Sequence, residues 1–118
     1  MRPHFRFEDL EIWQGAKALA IKFHRVAENL DKRKLFRYAE QLRAAGLSLS
    51  NNIAEGSGSI HPGEFKQFVN IARRSLFEDA SMLLVFEGLG LLPAREVDDL
   101  LEDCDKLSRQ ITNFSRTL

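Results

Sequence analysis

Gln41-Leu42-Arg43-Ala44-Ala45-Gly46-Leu47-Ser48-Leu49-Ser50-Asn51-Asn52-Ile53-Ala54-Glu55-Gly56 is the stretch whose reading decides the fold. It holds no proline. Leu42, Ala45, Leu49 and Ile53 recur at steps of three and four, which places them on one face of a helix. Gln41, Ser48 and Asn52 lie along one edge of that face. Leu47 and Ala54 lie about a third of a turn away, and Phe36 joins them upstream. A surface helix carries one apolar stripe a little over ~100° wide. This one carries two, with polar residues between them, so neighbours are expected on both sides. Gly56 reads as the left-handed residue that ends the helix.

The flanking segments repeat the pattern. Asp9 reads as an N-cap, and Ile12, Ala16, Leu19, Phe23, Val26 and Leu30 predict a first helix over about Asp9 to Leu30. Trp13, Ala20 and Ala27 form a row beside that stripe. Asp31 to Lys34 is a connection, with Asp31 expected as the next cap. After Gly56, Ser57 to Gly63 is a turn by composition, with Ser59 or His61 as a candidate cap. A third helix is predicted over about Pro62 to Glu87. Its main stripe is Phe65, Phe68, Ala72, Leu76, Leu83 and Phe86, and Phe77 and Leu84 lie seven apart on another face. Asp79 falls on the main apolar stripe. Gly88, Gly90 and Pro93 break the chain. Val97, Leu100, Cys104, Leu107, Ile111 and Phe114 then predict a fourth helix. Four amphipathic helices with short connections predict an all-α, antiparallel up-down-up-down four-helix bundle, with 1–118 as a single domain.

With 118 residues, 44% hydrophobic and 29% charged, the chain has apolar content enough for a core. Its net charge of zero gives no bulk basic signal for nucleic acid. The charge is uneven: ten basic and seven acidic residues up to Ile60, seven and ten after it. Lys32, Arg33, Lys34 and Arg37 cluster at one point. Glu96, Asp98, Asp99, Glu102, Asp103 and Asp105 cluster at another. Met1 to Phe7 alternates basic and aromatic residues and reads as a tail pinned by its phenylalanines. A single cysteine, Cys104, allows no internal disulfide and fits a reducing, cytoplasmic setting. No signal-peptide pattern opens the chain, and Met82 to Leu92 is far shorter than the ~20 residues of a membrane span.

Catalytic patterns are missing. Di-iron bundles use Glu-x-x-His on two helices, and neither His24 nor His61 has a Glu three residues before it. His4, His24, His61 and Cys104 lack metal-ligand spacing. Ser48 and Ser50 have no nearby histidine, and Gly56-Ser57-Gly58 lacks the Lys-Ser/Thr of a phosphate loop. No catalytic residue, cofactor or metal is assigned. Ser48, Asn52, Ser75 and Asp79 sit in or beside the stripes of helices 2 and 3. They read as a hydrogen-bonded polar layer that fixes register, with a small-ligand site between helices as the alternative.

Three stretches resemble one family. They are Phe7-Glu8-Asp9-Leu10-Glu11-Ile12-Trp13-Gln14; then Gln41 to Ala45 with Ser48 and Asn52-Ile53-Ala54-Glu55-Gly56; then Glu64-Phe65, Phe68, Ser75-Leu76 and Glu78. The family is the small four-helix bundles encoded in intervening sequences of bacterial large-subunit ribosomal RNA genes. It is similar to the accessory variability protein of diversity-generating retroelements. The resemblance implies a ring-like homopentamer. In the retroelement relatives it also implies binding to nucleic acid and to a reverse transcriptase. Family members usually carry basic residues in the turn after Gly56, where this chain reads Ser57-Gly58-Ser59-Ile60-His61.

The sequence therefore leads to a non-enzymatic, self-assembling bundle that acts as a binding or scaffold protein, with RNA or another nucleic acid as candidate partner. A protein–protein adaptor with no nucleic-acid role is the alternative. Phe36, Leu47, Ala54, Phe77 and Leu84 are the candidate interface between copies, because so large an apolar patch is a liability in a monomer. Lys32, Arg33, Lys34 and Arg37, with Arg95 expected at the same end of the bundle, are the candidate nucleic-acid contacts.

Overall fold

The computed structural model describes residues 1–118. After a single 3-10 turn at Arg6–Asp9 come four helices: α1 Glu11–Lys32, α2 Phe36–Ser57, α3 Glu64–Gly88 and α4 Ala94–Ser115. There are no strands. Each helix packs against its neighbours in the cycle α1, α2, α3, α4, and the diagonal pairs do not approach. The α1–α2 and α2–α3 pairs approach most closely, and α4 lies less closely against its neighbours.

The predicted stripes form the core. Leu19, Phe23 and Leu30 of α1, Leu42, Leu49 and Ile53 of α2, Leu76 and Leu83 of α3, and Val97 and Ile111 of α4 are all buried. Hydrophobic burial at this spacing is what selects helix over other backbone states, since it rewards only the 3.6-residue period. Val69 replaces Phe68 in the main stripe of α3; Phe68 is half-buried.

Several helix ends differ from the sequence expectation. Asp9 does not cap α1; Leu10 holds that position, and the Asp9 carboxylate meets His4 Nε2 at 2.9 Å. Asp31 stays inside α1 and takes a 2.6 Å bond from Arg43 of α2. Gly63, at φ +95°, precedes α3 in place of Ser59 or His61. Gly56 is not a terminator. It lies inside α2, buried, and a Cβ built on it would fall 2.5 Å from Phe68 Cβ and 3.1 Å from Phe65 Cδ1. Glycine there lets α3 approach the backbone of α2. The N-terminal segment is pinned by aromatic contact, with Phe7 stacked edge-on to Trp13 at 4.8 Å.

Candidate interaction surfaces

The basic end is built by two connections. Arg33 Nη1 donates to the carbonyl of Leu91 at 2.7 Å, which ties the α1–α2 connection to the α3–α4 connection. Lys32, Lys34, Arg37 and Arg95 are exposed around this tie. Lys34 sits at φ +62°, a left-handed conformation that costs an L-residue about 1 kcal/mol. Its amide bonds back to Asp31 and the amide of Leu35 to Leu30, closing the last turn of α1. Arg33 thus braces the end, while the other four cations face solvent. The acidic side of α4 is partly answered by α1: Lys22 pairs with Asp103, and Glu96 and Asp99 face Arg25 across a shared groove.

The five candidate interface residues do not form one patch. Phe36, Leu47 and Ala54 are eleven and seven residues apart, near whole turns, so they share one face of α2. That face borders α1, where Leu47 and Ala54 join Trp13, Ala20 and Ile21 in an open groove of about 530 Å³. Phe77 instead lines a smaller crevice of about 230 Å³ between α3 and α4, with Leu76, Ala80, Leu101 and Cys104. Leu84 lies two turns further along the same face of α3. In a bundle ordered α1, α2, α3, α4, the α1–α2 side and the α3–α4 side are opposite. Phe36, Leu47, Phe77 and Leu84 are each more than half exposed. Arg73 holds Phe77 in place, with its guanidinium 4.7 Å from the ring and its Nε donating to Thr112 Oγ1 at 2.8 Å. The sequence reading missed the α1 wall of the first groove. Its signal was the Trp13–Ala20 row, which lies at the edge of the core, half-buried; Ala27, the third member, is buried.

The four polar residues also separate. Ser48 Oγ and Ser75 Oγ are 3.4 Å apart across α2 and α3, and Asn52 Nδ2 donates to the carbonyl of Ser48 at 2.8 Å. These three form a small seam at the rim of the α2–α3 contact. Asp79 takes no bond from them. It is in the core, 1% exposed, with Oδ2 unpartnered. Burial, with Glu78 adjacent, pushes its carboxyl up from 3.8 to about 8, so it is a neutral acid at pH 7.

No three His, Cys, Asp or Glu side chains converge closely enough to hold a metal ion. No helix is long and apolar enough to cross a membrane. The comparison with protein families gives a match to the 23S rRNA-intervening sequence protein over residues 8–113, while no curated protein matches the chain. Because that match spans nearly the whole sequence and all four helices, the chain belongs to the 23S rRNA-intervening sequence protein family.

Proposed function

We propose that this protein is a non-enzymatic, self-assembling bundle that acts as a binding scaffold in the cytoplasm. The observation that carries the reading is the pair of exposed apolar surfaces on opposite sides, one at Leu47 and Ala54 and one at Phe77 and Leu84. Two different surfaces on opposite sides suit a head-to-tail joint, which closes into a ring when the rotation between copies permits. Five copies is the assembly expected from the family resemblance. The helices run antiparallel, up-down-up-down; the short connections and the Arg33–Leu91 bond support this.

Light scattering at micromolar concentration should report a closed assembly for the wild type and monomers for Leu47→Asp and Phe77→Asp. Each variant keeps one good surface. A mixture of the two should therefore form dimers, as a two-fold joint between like surfaces would not. A monodisperse wild-type monomer, or variants that assemble normally, would defeat the reading.

In such an assembly the basic end repeats once per subunit around one rim. Lys32, Lys34, Arg37 and Arg95 are the residues free to meet a polyanion, and repetition turns weak single contacts into avidity. RNA or another nucleic acid is the partner this rim fits. We further propose kinship with the accessory variability protein of diversity-generating retroelements, on the strength of the sequence motifs quoted above, which adds a reverse transcriptase as a candidate partner. RNA affinity should fall with salt at a log–log slope near ~0.7 per phosphate contact. Changing Lys32, Lys34 and Arg37 together to Glu should abolish binding and leave the Arg33 brace intact. Equal binding by this variant, or none by the wild type at low salt, moves the assignment to a protein–protein adaptor.

A further inference from the structure

Among the polar residues of the core, Ser50, Ser57 and Ser108 each donate a hydroxyl to a carbonyl of their own helix. Asp79 has no such bond. It lies on α3 between Leu76 and Leu83, and its surroundings offer no cation. The buried residues of α1 are all apolar, and those of α2 are apolar apart from glycines and serines. Arg43, at the edge of α2, is engaged by Asp31. α4 presents Cys104, 4% exposed, beside Asp103, whose carboxylate pairs with Lys22 of α1. On α3 itself the adjacent charge is Glu78, of the same sign. Arg73 is turned to Phe77 and Thr112. An ionised Asp79 would therefore be a buried charge without compensation, while a neutral one fits. A crevice bordered by Leu76, Ala80, Leu101 and Cys104 runs along the α3–α4 seam, and α4 makes fewer close backbone approaches to its neighbours than the other helices.

We propose that Asp79 is a proton-operated latch on the α3–α4 seam, closed as the neutral acid and released as the carboxylate, with Cys104 admitted to solvent when the seam opens. Opening returns Asp79 to water and to the ordinary carboxylate range. Between about pH 4 and pH 8 the open form is then ionised and the closed form is not. The opening constant should rise about tenfold per pH unit across that window and level off above it. Cys104 reports the event. Burial first, with Asp79 and Asp103 beside it, pushes its thiol up to about 12. It reacts only through the open form.

The test is the rate at which iodoacetamide labels Cys104, divided at each pH by the rate for a short peptide with the sequence Asp103-Cys104-Asp105. The division removes the ordinary titration of the thiol. In the wild type this ratio should rise about tenfold per unit from pH 6 to about pH 8, the range in which a free thiol is still largely protonated. In Asp79→Asn and Asp79→Leu it should stay constant within about twofold. A wild-type ratio independent of pH, or the same slope in a folded Asp79 variant, would overturn the latch; so would labelling at pH 7 that accelerates with low urea as steeply as global unfolding does, since opening one seam exposes far less surface than unfolding the bundle. Protection by a neighbouring copy would shift every rate without producing a slope that vanishes with Asp79.

Discussion

Gly56→Val should destabilise the protein by roughly 3 kcal/mol, read as a fall in urea midpoint at unchanged slope. The reason is steric. Even a Cβ at this position would come within 2.5 Å of Phe68 Cβ, and both atoms are attached directly to helix backbones. Neither can swing aside, so α2 and α3 must separate and loosen the packing of Phe65 behind them. Gly56→Ala should fall in the same direction with a smaller effect, because alanine recovers up to ~1 kcal/mol of helix propensity. Gly88→Ala is the control. Nothing lies within 4 Å of its Cβ position, so propensity acts alone and the variant should be equal to or more stable than the wild type. All three belong at one protein concentration, since assembly would make stability concentration-dependent. A wild-type midpoint for Gly56→Val would show that the close α2–α3 approach is dispensable.

The second large effect is Asp79→Leu, expected to raise stability by roughly 3 kcal/mol at pH 8. The folded carboxyl titrates near 8 against an ordinary 3.8, so folding favours the protonated acid. The stability that proton supplies is complete below about pH 4. It declines by about 1.4 kcal/mol per unit as pH rises and is gone once pH passes about 8. The leucine variant lacks this decline, so the two stability curves should diverge from pH 5 to pH 8 and run parallel above. Asp79→Asn should also lose the pH dependence while keeping an unpaired polar group in the core, and so gain less. Curves that stay parallel from pH 5 to pH 8 would mean that Asp79 finds a partner or water.

The four helices were legible because each buries a stripe, and a stripe is a property of one segment alone. Ile12 to Leu30 could be placed without knowing what it touches. Gly56 was misread for the opposite reason. A glycine near a helix end has the same sequence signature whether it turns the chain or makes room, and only Phe68 on the facing helix decides between them. That the exposed apolar residues divide between two sides was out of reach for the same reason. Leu47 and Phe77 each lie off the core stripe of their own helix, but a helical wheel cannot say that one faces α1 and the other α4. Asp79 stood out as an acid on an apolar stripe. Grouping it with Ser48, Asn52 and Ser75 required depth in the core, which distinguishes a rim seam from the centre. The basic end was legible because topology places the two connections together, though the diversion of Arg33 to a carbonyl was not.

The opposed apolar sides have a geometric consequence. In a head-to-tail joint the number of copies that complete a circle is set by the tilt between the two joining planes. A circle of five requires a turn of about 72° per copy and a circle of six about 60°. The ~12° difference is comparable to the scatter in the angle at which two helices pack. Both planes belong to the same small bundle, one framed by α1 and α2 and the other by α3 and α4. Any substitution that rotates α4 on α3 changes the wedge, even if it touches no copy. If the protein assembles as proposed, ring size would be encoded in its interior, and core variants would change the count of subunits before they weaken the joints between them.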